Sequence, residues 1–382
     1  MLLKKVILTG YLSSNWGYPL LFDPKPKEDP KDLFDREKEM EKLKFGINYP
    51  ITLLLGIRKS GKSPIVKVLM NEEKRGNKDI WLYLDLRKFE SSFFINYKDL
   101  IQEMEKAINS SLPNRLKKLF EGIRGVSFAG LDLRFSWGRE RVEFAQILDK
   151  LSEIAEKEGE RVIIVFDESQ ELRKLKGYNL LYPIAYAYDN LRVKFIFTGS
   201  EIGMVYDFLK LDKPNSPLYG RAYTEVNVNP FSKDMSIEFL RKGFEELKIK
   251  IKEEELEDAV NNLGGIPGWL TYYGFNYIQE MDHKKAIDKT IETAISLIKE
   301  EFDNFLRGRE EAKERYRTIM TVCAKGCKWS EAKTAIEVKE GVKIDDKRFT
   351  ELLDNLVKAS FLVKEGELYK PADIMIGKTF FK

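Results

Sequence analysis

Ile51-Thr52-Leu53-Leu54-Leu55-Gly56-Ile57-Arg58-Lys59-Ser60-Gly61-Lys62-Ser63 decides the reading of this chain. The run 51–55 is short and almost unbrokenly apolar, which suits a strand buried on both faces of a parallel sheet. Residues 56–63 match G-x-x-x-x-G-K-[ST] in full, and a helical pattern continues to about Asn71. Gly56 and Gly61 let the backbone curl, so that the N–H groups of Ile57, Arg58, Lys59 and Ser60 converge on one anion-binding nest. The helix that follows adds its N-terminal dipole. Lys62 is expected to reach the β- and γ-phosphates of ATP or ADP, and Ser63 to ligate Mg²⁺. A chance glycine-rich turn would lack this setting between strand and helix. Pro64 removes an N–H that would otherwise help hold the α-phosphate, so weakened affinity for ATP is expected.

Outward from the loop, three more buried strands are expected at DIWLYLDL (79–86), RVIIVFD (161–167) and VKFIFTG (193–199). Helical patterns separate them at 97–119, 141–157 and 178–191, and GVSFAGLDLRFSW (125–137) reads as an inserted β-hairpin around Gly130. Strand-helix alternation gives a doubly wound α/β domain, closed by a last strand at 223–231. Upstream, FDPKPKEDP (22–30) argues for an extended arm, and LFDREKEMEKL (33–43) for a helix. After Ser232 the pattern is helical. Residues 233–305 read as one amphipathic helix, the break GGIPGWL (264–270) and two further helices. Helices at 312–325, 329–339 and 345–359 followed by a hairpin at 361–371 make a winged helix-turn-helix. The segments are then an arm (1–30), a core (31–232), a helical lid (233–305) and a winged-helix domain (306–382).

Asp167 and Glu168 end the apolar run 162–166, at the sheet edge where α/β ligands bind. Asp167 is expected to hold the Mg²⁺ shell and Glu168 to deprotonate the attacking water, the alternative being a helix N-cap. Thr198 and Ser200 end the strand 193–199 and fit γ-phosphate sensors, or in the case of Ser200 a cap. Arg221, after the loop SPLYG (216–220), is a candidate arginine finger, with a surface or interdomain ion pair as the alternative.

LFDREKEMEKL, GIRKSGKS, VIIVFDESQEL, FIFTGSE, SPLYGR and LGGIPGWL occur in an order similar to that of archaeal P-loop ATPases of the AAA+/STAND group. The resemblance covers about residues 20–280. It implies a five-stranded core, a helical lid and a C-terminal winged helix. It also implies that Phe34, Arg36 and Pro267 flank the adenine, whereas the residues around Pro267 read by themselves only as a helix stop. Asp35 stands where glycine is common in this group, and the separation of Lys62 from Asp167 is long, partly through the hairpin.

Composition narrows the chemistry further. The 382 residues carry 65 Lys+Arg against 62 Asp+Glu, one histidine and two cysteines. His283 alone cannot build a multi-histidine metal site, and its polar surroundings predict a solvated surface residue. Cys323 and Cys327 are too few for a disulfide framework and read as reduced thiols on one helix face, small core residues. No membrane span or cleavage site is apparent, so a cytoplasmic protein is expected. The presumed recognition helix (345–359) carries Lys347, Arg348 and Lys358 against Asp345, Asp346, Glu351 and Asp354. That balance resists a phosphate-tracking role. The expectation is a slow ATPase in which ATP and Mg²⁺ switch the arrangement of core, lid and winged helix, with a protein client or a second copy as partner. The alternatives are an initiator-like or transposition-related ATPase that binds DNA, and a non-hydrolysing scaffold that retains nucleotide.

Overall fold

A computed structural model describes residues 21–75, 79–136 and 141–381. Helix α1 (Glu37–Gly46) precedes β1 (Ile51–Leu55), whose five residues are all buried, and the glycine loop leads into α2 (Lys62–Arg75). Then come β2 (Asp79–Asp85), α3 (Tyr97–Ser111), the antiparallel hairpin β3 (Val126–Ala129) and β4 (Asp132–Phe135), and α4 (Phe144–Glu158). β5 (Arg161–Asp167), α5 (Leu181–Asn190), β6 (Val193–Gly199), α6 (Ile202–Leu209) and β7 (Thr224–Asn227) complete the core. The expected helix 97–119 stops at Ser111, because Pro113 cannot donate to the preceding turn.

The five-stranded sheet has the order β2-β5-β6-β1-β7, and every pairing is parallel. The apolar runs are therefore buried on both faces, as their composition demands. Chain direction along the sheet reverses about β1, and the crevice at the C-terminal ends of β1, β5 and β6 opens where such sheets bind ligands.

Four helices follow: α7 (Lys233–Glu246), α8 (Glu253–Leu263), α9 (Pro267–Glu280) and α10 (His283–Leu306). The single helix expected ahead of GGIPGWL is thus two. The chain turns at Lys248, which adopts a left-handed φ of 57°, and the alternating segment 248–252 forms no helix. The C-terminal module holds α11 (Lys313–Val322), β8 (Cys327–Lys328), α12 (Trp329–Glu340), α13 (Asp346–Lys358), β9 (Leu362–Glu365), β10 (Leu368–Pro371) and α14 (Ile374–Phe380). This is the expected winged helix, with a third strand, β8, paired to β10, and with an unanticipated closing helix, α14.

The reading of the cysteines needs correction. Cys323 and Cys327 are buried, as expected, but they form a disulfide instead of two thiols on a helix face. The helix has ended before them, and Gly326, at φ 98°, turns the chain so that their Cα atoms lie 4.6 Å apart.

Lid and winged helix share one continuous buried core, in which Phe302 and Phe305 of α10 meet Phe361 edge to face. The expected arm is pinned to the same core at residues 21 and 22, since Leu21 and Phe22 are both buried. The Phe22 ring lies so close to α7 and α9 that a Cβ on Gly243 or Gly274 would come within 2.3 or 2.2 Å of it. Residues 1–20 of the arm lie outside the described residues.

Candidate functional site

The glycine loop is held by close packing. A Cβ on Gly56 would meet the Val228 carbonyl oxygen at 2.5 Å, and Gly61 needs its φ of 102° to complete the curl. Lys59 takes a left-handed φ of 61° within the same loop. Arg36 braces the loop from outside it. Its buried guanidinium donates to the carbonyls of Ser60 (3.1 Å) and Asn229 (2.9 Å), pairs with Glu39 and lies 4.5 Å above the Phe231 ring. The Lys62 ammonium donates to the carbonyls of Gly56 (2.7 Å) and Ile57 (3.1 Å). Burial lowers its pKa, partly offset by Glu168 and Asp167.

Beside Lys62 lies the acidic pair at the end of β5. The Ser63 hydroxyl donates to Asp167 Oδ2 at 3.0 Å, the Tyr83 hydroxyl donates to the same oxygen, and Thr198 donates to Asp167 Oδ1. Burial and the neighbouring Glu168 push the Asp167 carboxyl upward. Glu168 has a left-handed φ of 56°, and its N–H donates to Thr198 Oγ1. Its Oε2 accepts from the Ser200 N–H (3.0 Å), the Ser200 hydroxyl (2.6 Å) and Gln170 (2.7 Å). Burial alone would raise the Glu168 carboxyl, but the positive charges of Lys62 and Arg58 together with the hydrogen bonds from Ser200 and Gln170 outweigh it and hold the pKa down at about 2. Asp167, Glu168, Thr198 and Ser200 thus form one hydrogen-bonded group. The N-cap reading of the acidic pair fails for Asp167, whose three donors are all side-chain hydroxyls.

A cavity of about 340 Å³ opens over the loop, lined by Phe34, Arg36, residues 58–64, Arg87, Glu168, Pro267, Tyr272 and Glu301 among others. The lid meets the loop directly here. Pro267 opens α9, the Gly268 N–H donates to the Lys59 carbonyl (3.1 Å), and the Lys59 ammonium lies 5.0 and 4.9 Å from the Trp269 and Tyr272 rings. Phe34 packs edge to face on Phe231 and Phe239, each 5.5 Å away. Asp35, standing where glycine is common, has a left-handed φ of 49°, a conformation that aspartate tolerates better than most residues. A larger groove of about 780 Å³ lies between α7, α8 and the residues before α1, but no loop residue lines it.

Arg221, a candidate, and His283, which was not one, sit apart from the cavity. Arg221 is bonded to Asp189 of α5 and to the Pro217 carbonyl, and lies 5.6 Å from the Tyr188 ring, so within the protomer it makes the ion pair foreseen as its alternative. His283 was expected to be solvated. Instead it is partly buried at the start of α10, with Nδ1 2.8 Å from the Tyr273 hydroxyl and Nε2 2.9 Å from Asp258.

Other residues of the site escaped the sequence reading. Tyr83 and Gln170 complete the shells of Asp167 and Glu168, and a tyrosine within DIWLYLDL was the one available signal. Arg58 was read only as a loop residue, yet its side chain meets Glu90, Glu201 and Glu301. On the exposed face of α13 stand Asp345, Asp346, Lys347, Arg348, Glu351 and Asp354, while Lys358 is paired with Asp207 of α6.

A family model described as an ATPase domain predominantly from Archaea matches residues 33–273. A model of the C-terminal winged helix-turn-helix domain of MCM proteins matches residues 310–372. The structure of a Walker-type ATPase of Pyrococcus abyssi is similar at a TM-score of 0.80 and 36% identity, covering 94% of this chain and 99% of that one. Two uncharacterized ATP-binding proteins of Methanocaldococcus jannaschii are 24% identical over 321 residues and 25% identical over 303 residues. These alignments cover 75% and 74% of this chain and 84% and 79% of theirs. Among the described residues no helix is long and apolar enough to cross a membrane.

Proposed function

The chain belongs to the family of ATPases found predominantly in Archaea, with a winged helix at its C-terminal end, and on that footing we propose that it hydrolyses ATP with Mg²⁺ as a switch between core (31–232), lid (233–305) and winged helix (306–382). The observation that carries this reading is the convergence of Lys62, Ser63, Asp167 and Glu168 beside one cavity, with Glu168 held ionised.

Each residue then has a role. Lys62 exchanges its two loop carbonyls for phosphate oxygens, and the N–H groups of residues 57–61 cradle the phosphates. Ser63 Oγ and Asp167 Oδ2, 3.0 Å apart, are the hard oxygen donors that suit Mg²⁺. When bound, Mg²⁺ neutralises charge on the β- and γ-phosphate oxygens. The three donors on Glu168 all fall on Oε2, which leaves Oε1 to take a proton from the attacking water. Thr198 and Ser200 orient the two carboxylates. Phe34 and Pro267 flank the base, and Arg36 fixes the loop beneath it. Arg221 keeps the ion-pair role, bonded to Asp189 and to the Pro217 carbonyl.

The test is Glu168→Gln, which is expected to retain ATP binding while turnover falls about 10²- to 10⁴-fold. Unchanged turnover would remove Glu168 from the mechanism. A wild type that releases ADP on denaturation and never turns over would favour the non-hydrolysing scaffold. A second reading, an ATPase that binds DNA, is supported by the similarity of the C-terminal module to an MCM winged helix.

A further inference from the structure

The phosphate cavity contains a group that an anion site has no use for. Glu301, from the lid helix α10, lines it together with Lys62, Ser63 and Glu168. A carboxylate facing incoming phosphates opposes their binding unless it is paired or withdrawn. Glu301 is paired, since its carboxylate lies 3.2 Å from Arg58 Nε. The same guanidinium is 2.8 Å from Glu90, which follows β2, and 3.8 Å from Glu201, the residue that opens α6 directly after Ser200. One arginine inside the phosphate loop therefore gathers three carboxylates from three separate elements. Its planar fork of five N–H donors suits a phosphate at least as well as a carboxylate.

We propose that Arg58 is a phosphate-operated latch: with no γ-phosphate present it holds Glu301 of the lid against the loop, and when ATP binds its fork turns to the γ-phosphate and releases Glu301. The inference deepens the nucleotide-switch reading and rests on it. ADP, which lacks the γ-phosphate, leaves the latch closed.

Glu301 and Glu201 both adjoin contacts with the winged helix. Phe302, the residue after Glu301, packs on Phe361 at 5.2 Å and Phe380 at 4.8 Å. The N–H of Ile202, the residue after Glu201, donates to Ser360 Oγ at 3.2 Å, and Lys358 pairs with Asp207 further along α6 at 3.0 Å. Gly203 lets these elements touch, for a Cβ there would lie 2.6 Å from Lys358 Cα. Opening the latch thus frees the lid from the phosphate loop, and the winged helix, held to the lid through Phe302, is drawn from α6 at the Ile202–Ser360 and Asp207–Lys358 contacts.

The test uses the full chain, with calorimetric titration of ADP and of a non-hydrolysable ATP analogue, and amide hydrogen exchange at residues 300–306 and 358–362. In the wild type the analogue, but not ADP, is expected to speed exchange in both segments. Glu301→Gln removes the competing charge, so the analogue should bind about two- to fivefold tighter, with a smaller change for ADP. Exchange at 300–306 should then be fast without nucleotide. In the doubly substituted Arg58→Ala, Glu301→Gln protein, exchange should be the same with the analogue, with ADP and with neither. Analogue binding that is unchanged or weaker in Glu301→Gln overturns the latch, as does a response specific to the analogue in the double variant. If the wild type binds both nucleotides but exchanges identically with each, the latch alone fails. If it binds neither, the nucleotide reading fails and the latch falls with it.

Discussion

Asp373 joins the winged helix to the lid at a point where pH should be felt. Its Oδ2 accepts from Trp269 Nε1 at 2.7 Å, and its Oδ1 caps α14 through the Met375 N–H at 2.8 Å. Burial pushes the carboxyl up from 3.8 to about 6, although both hydrogen bonds favour the anion. A carboxyl raised in this way binds its proton more tightly in the folded than in the unfolded chain. Its contribution is therefore most favourable below about pH 4 and is lost as pH rises through about 6. The shift corresponds to at most about 3 kcal/mol, an upper figure because part of the residue remains in solvent.

Asp373→Asn cannot ionise, and its single side-chain oxygen can accept from Trp269 or from the Met375 N–H but not from both. At pH 4 its unfolding midpoint in urea should lie below the wild type's, by about 0.5–1.5 kcal/mol, the worth of one lost hydrogen bond. From pH 4 to 7 its stability relative to the wild type should rise by up to about 3 kcal/mol, most of it across pH 4 to 6. Measuring this difference between variants cancels the many other carboxylates that respond to acid. A difference that stays flat with pH, or that moves against the asparagine variant as pH rises, would refute the reasoning.

Two other expectations concern the nucleotide and the partner. Pro64→Ser restores an N–H at the start of α2, and one hydrogen bond to a charged group is worth about 1.5–3 kcal/mol, so ATP affinity should rise by about tenfold or more; an unchanged dissociation constant would show that the missing donor does not matter. In a mobility-shift titration, the acidic exposed face of α13 should give no DNA complex that ATP strengthens, and a complex that forms at low salt with ATP and dissolves as salt rises would instead establish the DNA-binding reading.

The parts legible in the sequence are those where local pattern and global fold agree. The runs 51–55, 161–167 and 193–199 are too apolar to lie anywhere but inside a parallel sheet, and they do. GIRKSGKS needs its glycines for reasons local to the loop, and Gly56 meets the Val228 carbonyl as closely as that reading requires. Contacts between distant segments were hidden. Nothing in the arm shows that Phe22 will be buried between α7 and α9, and nothing near Cys323 shows that the helix will stop short of it. Arg58 was invisible for the same reason, since its three partners lie 32, 143 and 243 residues further on.

The shared core of lid and winged helix constrains any account of the switch. Phe302, Phe305, Phe361 and Phe380 form one aromatic cluster, and Met375 and Ile376 of α14 are buried in the same core. Separating two such faces would expose several large apolar side chains, each worth about 1.5–3 kcal/mol. The contacts between winged helix and core are sparser: the ion pair of Lys358 with Asp207, hydrogen bonds from Ile202 to Ser360 and from Arg307 to the Ser91 carbonyl, the close approach at Gly203, and Met204 as the α6 side chain buried in the shared core. An exposed ion pair contributes only about 0–1 kcal/mol. The weaker seam therefore runs between the winged helix and α6, and a nucleotide-driven change should open it there, carrying lid and winged helix as one body. The charge that would set this seam against the strong one is placed at the loop itself, where Arg58 touches both Glu301 on the moving side and Glu201 on the fixed side.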